Sequence, residues 1–162
     1  MNESEIREIV QKTISAVRSG ERCGKTVNLQ SAEILCDAVM AEAKRMGVKA
    51  VVCVSDQSGH PKIMKSMDDA YIASYDVAVN KAYTVVALKM STMTLKPLAQ
   101  PGASLYGIQF TNGGKIVIFG GGDPLRNERG EIVGGLGVSG GSEEEDAALS
   151  AYGRRFFENE MQ

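Results

Sequence analysis

The sequence predicts a single α/β domain, of the α+β kind, with a mainly antiparallel sheet and helices packed on its faces. Its 162 residues, of which 43% are apolar, suit one domain with its own hydrophobic core. Its extended apolar segments occur in two pairs joined by short turns, which is typical of β-hairpins. Helices and single strands do not alternate strictly, as they would around a parallel sheet.

An amphipathic N-terminal helix precedes this domain. Over residues 2–18 the apolar side chains recur on one helical stripe, whose members are Ile6, Ile9, Val10, Ile14 and Val17. Residues 19–27 are polar and contain glycine, without any periodicity, which is typical of a linker. We therefore divide the chain into an N-terminal helix with its linker, residues 1–27, and a core domain, residues 28–162.

The first helix of the core and the first hairpin follow directly. Asn28 is a suitable N-cap for a helix that runs to Met46, and Gly47 follows where a helix stop is expected. Residues 48–54 are a continuous apolar and β-branched run, and apolar alternation resumes over residues 62–67 after a polar turn. These two segments predict a hairpin.

The middle of the chain predicts a largely buried helix and a packed loop. Residues 70–90 are mostly apolar and follow Asp68 and Asp69, acidic residues at the end where the helix dipole favours them. Residues 91–110 contain two prolines and two glycines, too many for a long regular element. We expect short helical turns here, and the part from Pro97 to Tyr106 is a candidate pocket lid.

A second hairpin and a final helix complete the core. The apolar segments 116–119 and 131–138 predict two strands, joined by glycine-rich residues and a turn at 127–130. Ser142, with Glu145 three residues later, forms a capping box that begins the last helix. The predicted order is helix, hairpin, helix, loop, hairpin, helix.

Charge and cysteine content exclude several classes of protein. The net charge of -2 comes from 18 basic and 20 acidic side chains, so there is no basic field for nucleic acid. The odd set Cys23, Cys36 and Cys53 has no CxxC pair, and no basic-then-apolar signal sequence begins the chain. We therefore expect a reduced, cytoplasmic protein. Lys81 interrupts the longest apolar run, so no membrane-spanning segment is expected.

Several separated motifs resemble the GlcG/HbpS haem-binding family, which includes the C-terminal domain of PduO-type corrinoid adenosyltransferases. The resemblance extends over roughly residues 28–159, and the motifs that carry it are VSDQSGHPKIMKSM at 54–67, KAYT at 81–84, Pro101-Gly102, GGGDP at 120–124 and GGLGVSGGSEEED at 134–146. The resemblance implies a profilin-like antiparallel sheet flanked by helices, homo-oligomeric assembly and haem binding. Adenosylation belongs to a separate domain of the PduO proteins, so this activity is not expected here.

His60 is the candidate metal ligand. It is the only histidine, and a neutral imidazole commonly binds haem iron. It lies in a turn between two predicted strands, where a structural role is the alternative. The family that this chain resembles often has Gly-His at this turn, which favours the structural role.

Lys81 is the candidate anchor for a ligand carboxylate. It is a lone cation in an apolar segment, where its ammonium would pair with a haem propionate or a substrate carboxylate. The alternative is an internal ion pair with Asp68, Asp69 or Asp123, because burial without such a partner would be costly.

Four further side chains complete the predicted cofactor-binding set. Tyr83 and Thr84 lie close to Lys81 on the same predicted helix and could supply oxygen atoms, although Thr would be an unusual ligand. Met67 could pad a flat apolar ligand or bind haem iron, and Tyr106 belongs to the candidate lid. For each of the four, ordinary packing is the alternative.

A glycine motif at the end of the second hairpin formally matches a dinucleotide fingerprint. Gly135, Gly137 and Gly140 have the spacing, but no second strand with a ribose-binding acid follows, and the acidic residues 143–146 would repel a pyrophosphate. We interpret the glycines as sites of tight turns and close backbone packing, or as a backbone floor under a ligand. The acidic residues are expected to be solvated.

Three functions are consistent with these features. The first is a non-catalytic accessory protein that binds haem, or a related corrinoid, in an apolar cleft beside the helix over 70–90. The second is a structural or cargo protein of a bacterial microcompartment that docks to the shell through residues 1–18 and needs no cofactor. The third is a small-molecule enzyme that uses Asp56, Lys81 and Asp123.

Overall fold

The computed structural model describes residues 26–161 and contains one four-stranded sheet with four α-helices in that range. Two short 3-10 turns, Ile108–Phe110 and Asn112–Gly114, also occur. The predicted N-terminal helix lies outside the described residues. The elements are α1 Leu29–Met46, β1 Val51–Asp56, β2 Pro61–Ser66, α2 Ser74–Ala87, α3 Thr92–Leu98, β3 Gly122–Arg126, β4 Ile132–Ser139 and α4 Glu143–Glu160.

The sheet is antiparallel throughout, which confirms the predicted fold class. Its strand order is β2-β1-β4-β3, so the first predicted hairpin forms, a second hairpin forms from β3 and β4, and the two join through β1 and β4. Pro61 begins the edge strand β2, and Pro124 lies within the edge strand β3. Proline cannot donate a ladder hydrogen bond, so both edges are poor templates for pairing with another chain.

Helices cover both faces of the sheet. α1 and α4 pack on one face, where Leu35, Val39, Val54, Leu136 and Leu149 form part of a core whose side chains are fully buried. Burying a side chain of this size contributes about 1.5–3 kcal/mol, so this face supplies much of the stability of the domain. α2 packs on the other face.

The glycines of β4 allow α2 to lie directly on the sheet. A Cβ atom at Gly137 would collide with the carbonyl oxygen of Ala78, and one at Gly135 would collide with that of Ala82. Both carbonyls belong to the backbone of α2, so the helix and the strand are in backbone contact. The spacing that imitates a dinucleotide fingerprint is therefore a packing feature, which confirms the close-packing interpretation.

α2 is shorter than the predicted helix at both ends. It begins at Ser74, because Asp69 has a left-handed φ of 64° and a turn follows before the helix. Lys89 has a φ of 57°, which stops the helix after Leu88. The prediction that Asp68 and Asp69 open the helix was wrong, because apolar composition does not show where the backbone leaves helical geometry.

The predicted strand over 116–119 was also wrong. The backbone N–H of Val117 donates to the Thr84 hydroxyl of α2 rather than to a neighbouring strand. The strand that pairs with β4 starts later, at Gly122, and includes Pro124. The predicted turn at 127–130 is confirmed by the bond from the Gly130 N–H to the Asn127 carbonyl oxygen.

Candidate functional site

Exposed apolar side chains are concentrated in the part of the chain that contains α2 and the segments flanking it in sequence. Nine large hydrophobic side chains in the described part of the chain are exposed, and seven of them lie between residues 71 and 119. We call these seven the outer α2 surface: Tyr71, Ile72, Tyr75, Met93, Tyr106, Phe110 and Phe119. Side chains of this kind on α2 and on the segments beside it indicate a surface that another molecule covers.

Only the outward side of α2 is accessible to a ligand. The opposite side is in backbone contact with Gly135 and Gly137, so no macrocycle fits between the helix and the sheet. Tyr75 leaves 52% of its surface exposed, and Val79, Tyr83 and Val86 are half-buried. These four residues recur at helical spacing along one flank of α2, where Val79 also packs against the cluster of Val51 and Cys53. A flat apolar ligand beside α2 would therefore lie against this stripe.

Tyr83 joins two segments that are distant in sequence. On one side its ring packs on the β1–β2 turn, where a Cβ atom at Gly59 would lie 3.0 Å from the Tyr83 Cδ2 atom. On the other side the Asn112 side-chain amide donates to its phenolic oxygen at 3.2 Å. The Lys115 ammonium lies 5.6 Å from the ring centroid. The aromatic face and the phenol of Tyr83 therefore lie beside the cation of Lys115.

His60 follows Gly59 in the β1–β2 turn on which the Tyr83 ring packs, and it is exposed. The Asp56 carboxylate organises the turn by accepting from the N–H groups of Ser58, at 2.9 Å, and His60, at 3.1 Å. Although partial burial opposes it, these bonds hold the pKa of Asp56 below its ordinary value. The turn therefore presents the imidazole to the outside on a fixed backbone.

Lys81 is fully buried and paired with Asp146. Its Nζ atom lies 2.8 Å from Asp146 Oδ2, donates to the Val138 carbonyl oxygen at 2.7 Å, and lies 4.9 Å from the Phe119 ring centroid. Burial lowers the pKa of Lys81 and raises the pKa of Asp146, because desolvation outweighs their mutual attraction. With 0% of Lys81 exposed, the ammonium has no open path to a ligand carboxylate.

The internal partner predicted for Lys81 was wrong. Asp146 takes the place of the candidates Asp68, Asp69 and Asp123. The expectation that residues 143–146 are all solvated was also wrong, since Asp146 is 4% exposed. The Lys81–Asp146 pair is long-range in sequence, because it joins α2 to the first turn of α4.

Thr84 connects α2 to the segment that leads into β3. Its hydroxyl donates to the Asn80 carbonyl oxygen at 2.7 Å and accepts from the Val117 N–H at 3.0 Å. The side chain is fully buried, and both bonds are made within the protein. Its direct role as an oxygen donor to a ligand stays a prediction.

Met67 and Tyr106 lie apart from this cluster. The Met67 sulfur accepts from the Ala50 N–H at 3.4 Å, beside the start of β1, whereas His60 follows the end of that strand. A six-residue strand spans roughly 20 Å, so Met67 and His60 cannot bind the same iron. Tyr106 is 62% exposed and belongs to the outer α2 surface.

The three residues of the predicted enzyme site are held by separate partners. Asp123 accepts from the Ser150 hydroxyl at 2.7 Å and lies 3.4 Å from Arg154 Nε, both on α4. Burial raises the pKa of Asp123 despite these contacts. Asp56 is bonded to its own turn, and Lys81 is paired with Asp146. The structure therefore does not assemble them into one site.

Residues 112–115 are a part of the site that the sequence interpretation missed. Asn112, Gly113 and Gly114 all have left-handed φ values, of 52°, 67° and 77°, which place Asn112 and Lys115 against Tyr83. Successive left-handed residues are rare outside glycine-rich segments. The Asn-Gly-Gly tripeptide was the available signal. Nearby in sequence, Gln109 has a buried side-chain oxygen without a hydrogen-bond partner in the described structure.

The two cysteines of the core are unsuited to binding a metal. Burial raises the pKa of Cys36 and of Cys53 to about 12, so both stay protonated. Within residues 26–161 no group of three His, Cys, Asp or Glu side chains could hold a metal ion. None of the helices in this range has the length and apolar content that crossing a bilayer requires.

We expect Cys36 and Cys53 to be unreactive in the native protein. In a Cys23→Ser background, Ellman's reagent at about pH 8 should label neither thiol, since only the thiolate attacks. In denaturant both thiols of the same sample should become exposed and react with the reagent. Rapid labelling of either native thiol would contradict the burial and protonation described above.

Residues 27–155 match the family described as "Haem degrading protein HbpS-like". An uncharacterised 15.0 kDa protein of Citrobacter freundii, from the dhaT-dhaS intergenic region, is 44% identical over 125 residues, which are 77% of this chain and 87% of that protein. The corrinoid adenosyltransferase PduO of the same organism is 36% identical over 147 residues, 90% of this chain but 44% of that relative. The chain thus spans less than half of the adenosyltransferase.

A solved structure of a PduOC–haem complex has the same fold. It is 36% identical, aligns with a TM-score of 0.77, and covers 81% of this chain and 94% of the other. The motifs that resemble the GlcG/HbpS family therefore lie on a fold that this complex shares.

Proposed function

The chain belongs to the HbpS-like family, and from that premise we propose that it binds a tetrapyrrole, haem or a corrinoid, as a non-catalytic accessory protein. The observation that carries the proposal is the outer α2 surface, seven exposed apolar side chains on α2 and on the segments that flank it in sequence. A surface of this composition suits the apolar face of a macrocycle.

The chemistry beside Tyr83 fits the rest of such a ligand. A tetrapyrrole with carboxylate side groups needs an apolar wall and a cation near its edge, and Tyr83 and Lys115 offer both. The unpartnered oxygen of Gln109 is an acceptor that a bound molecule or an ordered water would satisfy. In this proposal Lys115 replaces Lys81 as the anchor for a carboxylate.

His60 is the proposed axial ligand. It is exposed on a turn that Asp56 fixes and on which Tyr83 packs, and imidazole is a common ligand of haem iron. Tyr83 and Tyr106 would contact the macrocycle, whereas Thr84 and Lys81 would act by holding α2 and its neighbours in place. Met67 lies beside the start of β1, so in this proposal it would contact a ligand only at a site separate from His60.

The relatives support a tetrapyrrole as the ligand class. One solved relative is a complex with haem, and another relative is a corrinoid adenosyltransferase. We do not extend adenosylation to this chain, because the match spans 44% of that enzyme. The enzyme alternative with Asp56, Lys81 and Asp123 lacks support, since each of the three has separate partners.

Homo-oligomeric assembly is part of the proposal. Side chains such as Ile72, which is 95% exposed, are costly to leave in water and would be covered in part by a second copy. The cytoplasmic location and the microcompartment location stay predictions. The microcompartment prediction depends on residues 1–18, which lie outside the described range.

A hemin titration of the purified protein tests the function. We expect a saturable Soret shift at micromolar hemin, an altered band position in His60→Ala, and weaker binding in Lys115→Ala because a carboxylate partner is lost. Gln57→Ala is the matched control, since it changes an exposed side chain in the same turn without removing the imidazole. A parallel titration with hydroxocobalamin separates haem from corrinoid.

Three results would contradict parts of the proposal. Absence of any saturable shift with either tetrapyrrole would exclude the function. A spectrum of His60→Ala identical to that of the unchanged protein would exclude His60 as the ligand. Progressive loss of the Soret band after addition of peroxide, faster than that of free hemin, would show haem degradation and exclude a non-catalytic role.

A further inference from the structure

A second apolar groove lies on the face of the sheet opposite α2. It is a cavity of about 420 Å³ between the start of α1 and the end of α4, and Thr26, Ile34, Phe156 and Met161 line it. Ile34 leaves 47% of its surface exposed, while Phe156 and Met161 are half-buried. Covering such a groove with another apolar surface would stabilise the protein.

The N-terminal segment of the chain enters at this groove. Thr26, the first described residue, is part of its lining. Residues 19–25 reach roughly 25 Å at full extension, so the segment before them is tethered close by. A short tether of this kind gives an effective concentration in the millimolar range, at which even a weak contact is populated.

The sequence of residues 2–18 offers an apolar surface that could cover the groove. Its sequence places five apolar side chains on one helical stripe, including Ile6, Ile14 and Val17. An isolated helix of this length is only marginally stable in water, so it gains most from packing on an apolar surface.

The charges are complementary as well. Residues 2–18 carry three basic and three acidic side chains, whereas the tether, residues 19–25, carries two basic side chains, Arg22 and Lys25, against Glu21. Glu160 lines the groove, and the last turn of α4 contains no basic residue. The negative end of the α4 dipole therefore faces the side from which the basic tether arrives.

We propose that residues 2–18 dock as an amphipathic helix in the groove between α1 and α4 of their own chain. The apolar stripe covers Ile34 and Phe156, and the basic residues that follow it lie near Glu160. The site is independent of the tetrapyrrole proposal, because the groove lies between α1 and α4, on the face of the sheet opposite α2. Docking in cis also covers the stripe that binding to a microcompartment shell would use.

A single introduced tryptophan tests the docking in the full-length protein. The chain contains no tryptophan, so Ile14→Trp reports on its own environment without background. We expect blue-shifted emission and several-fold weaker quenching by acrylamide than for a free indole. Adding Ile34→Glu should return both signals to those of a solvent-exposed indole, because it places a charge in the groove beside Glu160.

Gln57→Glu is the matched control, since it adds the same charge in an exposed turn elsewhere and should leave the emission unchanged. Ile34 is largely exposed, so circular dichroism should show an unchanged fold in the groove variant. Solvent-like emission in Ile14→Trp alone overturns the proposal. So does protection that survives Ile34→Glu, or protection that is lost on dilution, which would assign the contact to a second copy. None of these outcomes bears on the tetrapyrrole proposal, and we expect the variants to bind hemin as the unchanged protein does.

Discussion

Replacement of Gly137 by alanine should destabilise the domain by about 3 kcal/mol or more. The new Cβ atom would collide with the Ala78 carbonyl oxygen and would lie 2.6 Å from the Ala82 backbone nitrogen. Both atoms belong to the backbone of α2, so no side-chain rotation relieves the overlap. The helix would have to move off the sheet, with loss of its packing on Val51 and Cys53. Urea denaturation measures the change in the free energy of unfolding.

Gly130→Ala provides the control for this result. Gly130 has a φ of 77° in the β3–β4 turn, and nothing lies within 4 Å of the position that a Cβ atom would take. Its replacement should cost about 1 kcal/mol from backbone strain alone. If the Gly137→Ala variant is insoluble while the Gly130→Ala variant is soluble, this result also agrees with the prediction. Equal losses in the two variants would show that α2 is not in backbone contact with β4.

The second large effect is expected at the buried ion pair. Lys81→Met should lower the free energy of unfolding by about 3–5 kcal/mol, because it leaves the Asp146 carboxylate buried without its cation. Methionine has a similar length and apolar character, so the loss reports on charge more than on volume. Thermal and urea denaturation of the purified variant measure it.

The double variant Lys81→Met/Asp146→Asn separates charge from packing. The side-chain amide oxygen introduced by Asp146→Asn would still accept from the Gly141 N–H, as Asp146 Oδ1 does at 2.9 Å in the unchanged protein. With no buried charge remaining, the double variant should be more stable than Lys81→Met alone. A further loss in the double variant would show that the pair stabilises by geometry rather than by mutual neutralisation.

The pH dependence of Lys81→Met has a defined sign. Burial already raises the pKa of Asp146, and removal of Lys81 removes the main influence that lowers it. A carboxyl whose pKa is higher in the folded state than in the unfolded state favours folding below the unfolded value. The deficit of Lys81→Met relative to the unchanged protein should therefore be smallest in acid and should grow as the pH rises above the ordinary range for aspartate. A deficit independent of pH would contradict the assignment.

Much of the fold could be predicted because local signals and the final packing agree. Asn28 and Gly47 bound α1 as predicted, and the capping box of Ser142 and Glu145 begins α4. The hairpins follow from apolar runs separated by turns, and the turn at 127–130 forms between β3 and β4. The strand over 116–119 failed because apolar composition alone does not distinguish a strand from a segment that packs along a helix.

The candidate site could be predicted in part. Tyr83 and the turn of His60 are adjacent in the structure, although about two dozen residues separate them in sequence. Lys81 had the residue type of an anchor, but its burial and its partner depend on how α4 meets the end of β4. Asn112 and Lys115 carry no strong signal apart from the Asn-Gly-Gly tripeptide, whose left-handed turn brings them to Tyr83.

The sequence by itself determined the fold class and the order of most elements, because periodicity, caps and turn residues act between near neighbours in the chain. The family was identified from the resemblance of several separated motifs. Only the tertiary structure decided that Lys81 pairs with Asp146 and that Gly135 and Gly137 admit the backbone of α2. Each of these contacts depends on which helix packs on which face of the sheet. Contacts of that kind join residues far apart in sequence, and the local pattern of either partner is compatible with more than one neighbour.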